Sequence, residues 1–164
     1  MADWYAKNIE IYSYQSWIYC VALANIKDKD RVLEVACGPG KHSTTLASCF
    51  LKKGGVLVSC DYSKNMVEKL SANYNTDEND YTLVKGNKFV GEMDKDFTEF
   101  ADESCTKLKY QCDLDSIIKS QEPFRKLVYG CQANNEILPF ADQTFGAYIA
   151  SLSVHIVANP LNQV

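Results

Sequence analysis

An acidic residue inside a short apolar run is followed at once by a glycine-rich turn. In the segment VLEVACGPGKHS, which begins at Val32, Glu34 lies shortly before Gly38 and Gly40. Such a turn lets a ligand approach the backbone closely, and the helix that follows presents N–H groups at its start. A carboxylate at a strand end is costly to bury unless it is paired, so Glu34 would suit a cationic group such as an ammonium.

The spacing of these glycines differs from the dinucleotide-binding pattern G-x-G-x-x-G. Ser43 stands where the third glycine would be, and Pro39 lacks an N–H that a pyrophosphate would use. A dinucleotide oxidoreductase is therefore only a minor alternative. The turn by itself indicates no particular nucleotide.

Polar residues also follow two later apolar runs, where a nucleoside could be bound. Asp61 comes about 20 residues after the turn, where an acidic residue accepts hydrogen bonds from ribose hydroxyls. Tyr62 could lie against a purine, and Asn134 could read a base edge. Each has a structural alternative, since such an aspartate is often a helix cap and a tyrosine often belongs to the core. Together they predict a nucleoside site at the carboxyl ends of parallel strands.

Strands and helices alternate in the part of the chain that carries the first of these residues. Apolar runs predict strands over residues 31–36 and 56–60, and helices over 41–53 and 64–74, the last beginning after Ser63. This alternation predicts an α/β fold with a Rossmann-like parallel sheet and helices on both faces.

The rest of the sheet is predicted to follow a long interruption. Residues 75–125 form an insertion with helices near 94–108 and 113–121, which is either a surface excursion or a cap over a substrate or partner. A third strand over 126–131 and a fourth over 145–151 then complete the predicted part of the sheet. A helix is expected over residues 152–158, in the same single domain, 1–164.

Aromatic residues are concentrated in an N-terminal helical segment, residues 1–27. They are Trp4, Tyr5, Tyr12, Tyr14, Trp17 and Tyr19. We favour the interpretation that these rings pack on the body of the domain. A lid over a ligand is the alternative.

The composition bounds the kind of protein and its partners. The net charge is −4, which gives no electrostatic footprint for a nucleic-acid backbone. No apolar run approaches the length of a membrane span, and no secretory pattern opens the chain, so we expect a cytoplasmic protein. The seven cysteines form no CxxC pair and there are only two histidines, which predicts free thiols and no metal site.

Three segments in order give a resemblance to a known family. They are VLEVACGPGKHS, VLVSCDYSKNMVEKL and QANNEILPFADQTFGAYIASLSVHIV. Together they resemble the class I S-adenosylmethionine-dependent methyltransferases, in particular the small-molecule group similar to methyltransferase type 11. The resemblance covers residues 31–75 and 127–160. It implies a small-molecule methyl acceptor and a partial sheet in which the four predicted strands have the order 3-2-1-4.

The resemblance also implies which residues bind S-adenosyl-L-methionine. In chain order they are Glu34, Ala36, Cys37, Gly38, Gly40, Asp61, Tyr62, Met66, Ala133, Asn134 and Ser151. The residues up to Gly40 would surround the methionine part, Asp61 would hold the ribose hydroxyls, and Ser151 would lie beside the sulfur. The residues between Asp61 and Ser151 would flank adenine. Ala36 stands where the family usually has glycine, which we treat as a mild change.

Two histidines and one strand edge complete the sequence-based expectations. His155 is the one candidate general base, although we favour an ordinary helix residue or lid contact at that position, and His42 is expected to point to solvent. The family's sheet continues beyond the fourth strand, so that strand would be a bare apolar edge here. A partner or self-association could cover it, and a non-catalytic binding subunit is the alternative function.

Overall fold

The computed structural model describes residues 2–74, 81–89, 112–153 and 161. Five strands and five α-helices alternate along these ranges. In chain order they are α1 (Ala2–Asn8), α2 (Glu10–Ala24), β1 (Arg31–Val35), α3 (Lys41–Thr45) continued by a π-helical turn (Leu46–Phe50), β2 (Val56–Asp61), α4 (Lys64–Tyr74), β3 (Thr82–Phe89), α5 (Leu114–Ser120), β4 (Leu127–Ala133) and β5 (Ala147–Ala150).

The strands form one parallel sheet of order β3-β4-β2-β1-β5. The four predicted strands are β1, β2, β4 and β5, and they lie in the predicted order 3-2-1-4. β1 is central, with Glu34 opposite Ser59 of β2 and Ile149 of β5. The carboxyl ends of β1, β2 and β4 therefore meet at one edge of the sheet, as the sequence predicted.

Both faces of the sheet are buried under helices, which confirms the predicted α/β class. On one face, Trp17 and Val21 of α2 pack with Val32 and Ile149. On the other face, Leu114 of α5 packs with strand residues such as Leu33 and Val58. Strands buried on both faces read as continuous apolar runs, which is why β1 and β2 were recognisable in the sequence.

The segment 75–125 contributes a strand that sequence analysis missed. β3 pairs in parallel with β4 and forms one edge of the sheet, with a register shift between Lys85 and Lys88. Two lysines and a glycine in TLVKGNKF obscure the apolar pattern of this strand. The predicted helix near 113–121 is present as α5, where the Asp113 side chain accepts a hydrogen bond from the Ser116 N–H. The helix predicted near 94–108 lies outside the described residues, as does nearly all of that over 152–158.

The predicted helix over 41–53 is present in a shorter and less regular form. Its α-helical part ends at Thr45, and the π-helical turn ends at Phe50. The buried Lys126 ammonium donates hydrogen bonds to the carbonyl oxygens of Ala47 (3.1 Å) and Ser48 (3.3 Å). A cation at the end of a helix satisfies carbonyls that lack helical partners and suits the helix dipole.

Two further expectations concern thiols and membranes. The six described cysteines are free thiols, as predicted, and the Cys60 and Cys131 sulfurs lie 3.2 Å apart across β2 and β4. No helix in the described part of the chain combines the length and apolar character that a membrane span requires.

Replacing the buried ammonium should destabilise the domain. We expect Lys126→Met to lower the free energy of unfolding by about 1–3 kcal/mol, because two buried carbonyls lose their donor. Urea denaturation would measure it. Lys53→Met, at an exposed lysine near the same turn, should change stability by less than about 0.5 kcal/mol. Equal losses in the two variants would show that the Lys126 contacts contribute nothing specific.

Candidate functional site

The glycine turn between β1 and α3 is built from left-handed backbone. Ala36, Gly38 and Gly40 have φ values of 51°, 60° and 90°. A Cβ at Gly40 would lie 2.9 Å from Leu70 Cγ, so this glycine also lets α4 pack closely. Ala36 is therefore more than a mild departure from glycine, because a left-handed alanine costs about 1–2 kcal/mol.

Asp61 connects this turn to the end of β2. Its Oδ2 accepts the Gly38 N–H at 2.9 Å, and its Oδ1 accepts the Ser63 N–H at 2.8 Å. Burial raises the pKa of the Asp61 carboxyl, and the N–H groups of Ser63 and Gly38 partly offset that rise. The predicted acid thus lies directly beside the predicted turn, in a partly desolvated position.

Cys37 lies in the same turn and is buried. Its N–H donates to the Cys60 carbonyl at 3.0 Å, which ties the turn to β2 a second time. Burial, with the nearby carboxylates of Asp61 and Glu34, raises the pKa of the Cys37 thiol well above its ordinary value. A raised pKa favours the neutral thiol, which is a poor nucleophile, so the structure indicates that Cys37 shapes the turn.

Glu34 is buried near the carboxyl end of β1 and has hydrogen-bond donors on both oxygens. Trp17 Nε1 donates to Oε1 at 2.9 Å, Ser43 Oγ to Oε2 at 2.5 Å, and Ser59 Oγ to Oε2 at 3.4 Å. Sequence analysis predicted a cationic partner for Glu34 and missed these three residues. Ser59 was detectable from the strand register, whereas Trp17 and Ser43 required the packing of two helices.

Aromatic rings from α2 and α3 cover this carboxylate. Trp17 stacks on His42 with ring centroids 5.0 Å apart and an interplanar angle of 18°, and Tyr14 packs against both rings. The expectation that His42 points to solvent is wrong, since the imidazole is buried under Trp17.

Core packing was expected for the N-terminal aromatic residues. This expectation is confirmed for Trp17 and is wrong for Trp4, Tyr12 and Tyr19. Trp17 is 1% exposed, whereas Trp4, Tyr12 and Tyr19 are 60%, 82% and 71% exposed. The buried side of α2 is set by Ser13, Trp17 and Val21, which recur at helical spacing. The aromatic residues at 12 and 19 lie off that side.

A small cavity lies between the turn, α2 and the end of β5. Its volume is about 20 Å³, and its walls include Trp17, Glu34, Gly38, His42 and Ser151. The Ser151 hydroxyl oxygen is buried and has no hydrogen-bond partner within the described part of the chain. A larger cleft of about 480 Å³ lies beside Arg31 and Val56, at the amino ends of β1 and β2. It is therefore at the end of the strands opposite to the predicted residues.

The residues predicted to flank adenine lie at the ends of β2 and β4. Asp61 and Gln132 are register partners, and Gln132 Nε2 donates to the Tyr62 carbonyl at 2.8 Å. Asn134 Oδ1 accepts the Glu136 N–H at 2.9 Å, so this amide oxygen also stabilises the turn after β4. Burial, and then the Glu136 carboxylate, raises the pKa of Tyr62.

The remaining predicted positions are Met66, Ala133 and His155. Met66 is partly buried in the first turn of α4, and Ala133 is buried at the end of β4. The structure therefore brings the predicted set to one edge of the sheet, except for His155, which lies outside the described residues.

Asp61 should give the ligand-free chain a distinct pH dependence. Burial raises its folded-state pKa above the ordinary value of 3.8, so its contribution to stability is fully present below pH 3.8 and is lost as the pH rises through the folded pKa. In urea titrations, the unfolding free energy of wild type minus that of Asp61→Asn should fall over this window. A difference that is constant or grows with pH would contradict a raised pKa.

Comparisons with solved structures show a shared fold. The YcgJ protein of Bacillus subtilis matches with 15% identity and a TM-score of 0.52, over 92% of this chain and 43% of that chain. A candidate methyltransferase from Bacillus halodurans C-125 matches with 17% identity and a TM-score of 0.50, over 91% and 43%.

A third similar structure contains two kinds of protein. It is the complex between the Haloferax volcanii Trm112 methyltransferase activator and a candidate methyltransferase, which matches with 14% identity and a TM-score of 0.57, over 99% of this chain and 51% of that chain. The chain thus spans about half the length of the solved structures that it matches. No curated protein matches it at a significant level.

A family match covers the first part of the chain, including the glycine turn and Asp61. The family described as protein-L-isoaspartate(D-aspartate) O-methyltransferase matches residues 6–100, which is more than half of the chain. The resemblance of the three sequence segments and the order of the sheet agree with this match. The chain therefore belongs to the protein-L-isoaspartate(D-aspartate) O-methyltransferase family and has the fold of the class I S-adenosylmethionine-dependent methyltransferases.

Proposed function

We propose that this chain binds S-adenosyl-L-methionine and transfers its methyl group to a small-molecule acceptor. The observation that carries the proposal is the Asp61 carboxylate, held beside the glycine turn by the N–H groups of Gly38 and Ser63. A partly desolvated carboxylate at the carboxyl end of a parallel strand is the expected partner of ribose hydroxyls.

The residues at the nucleoside end fit this ligand. Each Asp61 oxygen accepts one N–H group, and a carboxylate has about four lone-pair positions, which leaves capacity for two hydroxyl donors. Tyr62 and Met66 stand at the start of α4, where they would flank adenine. Ala133 and Asn134 would complete that pocket from the end of β4.

The residues at the methionine end have suitable polar groups for the ligand, but the cavity between them is too small for it. Three polar groups suit an amino-acid moiety. They are the buried Ser151 hydroxyl, which has no hydrogen-bond partner among the described residues, the Glu34 carboxylate and the turn at residues 36–39. Their shared cavity of about 20 Å³ holds about one water molecule, however. The methionine part therefore requires a rearrangement of one wall.

The role of the chain in methyl transfer is mainly to position the reacting groups. When bound, S-adenosyl-L-methionine supplies a methyl group that is already activated on a sulfonium centre. Asp61 and the turn would orient the donor, since alignment of donor and acceptor accounts for a large part of such rate enhancements. His155 would accept a proton where the acceptor must lose one.

We infer the class of the methyl acceptor from a sequence segment. The LPF segment at residues 138–140 supports a small molecule through its resemblance to the small-molecule group. The description of the matching family instead names an isoaspartyl acceptor. Transfer of radiolabelled methyl to an isoaspartyl peptide would overturn the small-molecule proposal.

Binding of the demethylated product tests the cofactor site directly. We expect Asp61→Asn to weaken binding of S-adenosyl-L-homocysteine by about ten- to hundredfold in isothermal titration, because ribose hydroxyls lose a charged acceptor. Asp113→Ala is the matched control, since Asp113 bonds the N–H of Ser116 at the start of α5 but lies outside the predicted set. Equal affinity of wild type and Asp61→Asn would reduce Asp61 to a structural anchor of the turn.

A second candidate function is a non-catalytic subunit that binds a protein partner or a second copy. β5 is an edge of the described sheet, and the side chains of Tyr148 and Leu152 there are 41% and 50% exposed. The similarity to a structure that contains a methyltransferase activator is compatible with this function.

Self-association through β5 has a simple test. Analytical ultracentrifugation should show a concentration-dependent dimer that Ala150→Pro abolishes, because proline disrupts pairing along an edge strand. Leu161→Ser, at a residue that is 87% exposed outside β5, is the control and should leave the distribution unchanged. A monomer at all concentrations would exclude the second copy as the cover of this edge.

A further inference from the structure

We propose that α2 is a gate over the methionine end of the cofactor site, and that Trp17 must release Glu34 before the amino-acid part of the cofactor can bind. This inference rests on the proposed function, because it concerns how the same site admits its ligand. It assigns Trp17 a role in controlling ligand entry.

The cavity is too small for the amino-acid part of the cofactor. The cavity between the glycine turn and Ser151 has room for about one water molecule, whereas an amino-acid moiety is many times larger. Three of its walls are β1, the turn that follows β1, and the residues that follow β5. The remaining wall is formed by Ser13 and Trp17 of α2 with His42.

Of the walls of this cavity, α2 is the one that can move. β1 is hydrogen-bonded on both sides, and the turn is tied to β2 through Gly38 and Cys37. α2 joins the body through side-chain packing, with Trp17 and Val21 buried on its inner side. Its other side is open to solvent, since Tyr12, Tyr19 and Leu23 are 82%, 71% and 85% exposed. A shift of α2 therefore costs no sheet hydrogen bond.

Glu34 can exchange one hydrogen-bond donor for another when the ligand enters. Oε2 accepts from Ser43 and Ser59, which are held by α3 and β2 and can stay in place. Oε1 accepts the Trp17 indole N–H, which is a neutral donor. The α-ammonium group of the cofactor would make a charge-assisted hydrogen bond to the same oxygen, and such bonds are stronger than neutral ones. The ligand can thus replace the indole without leaving the buried carboxylate unpaired.

The gate makes a prediction that separates the two halves of the ligand. S-adenosyl-L-homocysteine carries the amino-acid part, whereas adenosine lacks it and should bind beside Asp61 with the gate closed. In the 164-residue chain carrying Trp4→Phe, Trp17 is the single tryptophan, because these residues include two. We expect S-adenosyl-L-homocysteine to shift the Trp17 emission to the red and to increase its quenching by acrylamide. Adenosine should change neither signal.

Removing the indole should favour the larger ligand alone. We expect Trp17→Phe to tighten S-adenosyl-L-homocysteine binding about tenfold in isothermal titration, the gain expected if the open arrangement is about a tenth populated in the wild type. Adenosine affinity should be unchanged. Trp4→Phe makes the same chemical change at a residue that is 60% exposed and should alter neither affinity.

The possible results test the α2 gate and the cofactor site separately. Saturation by S-adenosyl-L-homocysteine with Trp17 still shielded would overturn the gate and leave the cofactor site intact. The gate is equally overturned if Trp17→Phe changes both affinities by the same factor, or if adenosine binds and S-adenosyl-L-homocysteine does not. Binding of neither ligand to any folded form would overturn the proposed function as well. The fluorescence experiment uses an unaltered Trp17, so it decides the matter even if Trp17→Phe does not fold.

Discussion

The buried Glu34 carboxylate is the constraint on which the arrangement of this domain depends. It lies in the central strand β1, where an unpaired charge would be far too costly, so it must be given donors. Those donors come from α2 (Trp17), α3 (Ser43) and β2 (Ser59), and pairing them with one side chain positions three elements around β1. The docking of the N-terminal helices and the shape of the small cavity both follow from this requirement.

The carboxyl ends of β1 and β2, close to Glu34, hold other features that lower the stability of the fold. Asp61 is partly desolvated, and Ala36 adopts a left-handed conformation that a glycine would adopt without strain. Costs of this kind concentrate where a site must keep polar groups away from water for a ligand. Elsewhere, a buried polar group has its hydrogen bonds satisfied within the fold. The Lys126 ammonium, for example, donates hydrogen bonds to two carbonyl oxygens of the π-helical turn.

The two edge strands of the described sheet, β3 and β5, come from different parts of the chain. β3 comes from the segment 75–125 and covers the outer side of β4, so that segment is more than a surface excursion. β5 has a partner on one side only within the described residues, and Tyr148 is left partly exposed. Since the chain spans about half the length of the similar solved structures, the acceptor site and any cover for β5 remain proposals.

The sequence determined the order of four strands only through the family resemblance. By itself it determined the class of the fold and the meeting of Glu34, the glycine turn and Asp61 at the carboxyl ends of the strands. These follow from local information, because buried parallel strands read as apolar runs and their carboxyl ends must align. It could not determine β3, whose lysines hide its pattern, nor the burial of His42. Only the tertiary structure decided that Trp17 and Ser43 pair with Glu34. Such contacts join residues far apart in the chain through helix packing, which no local pattern encodes.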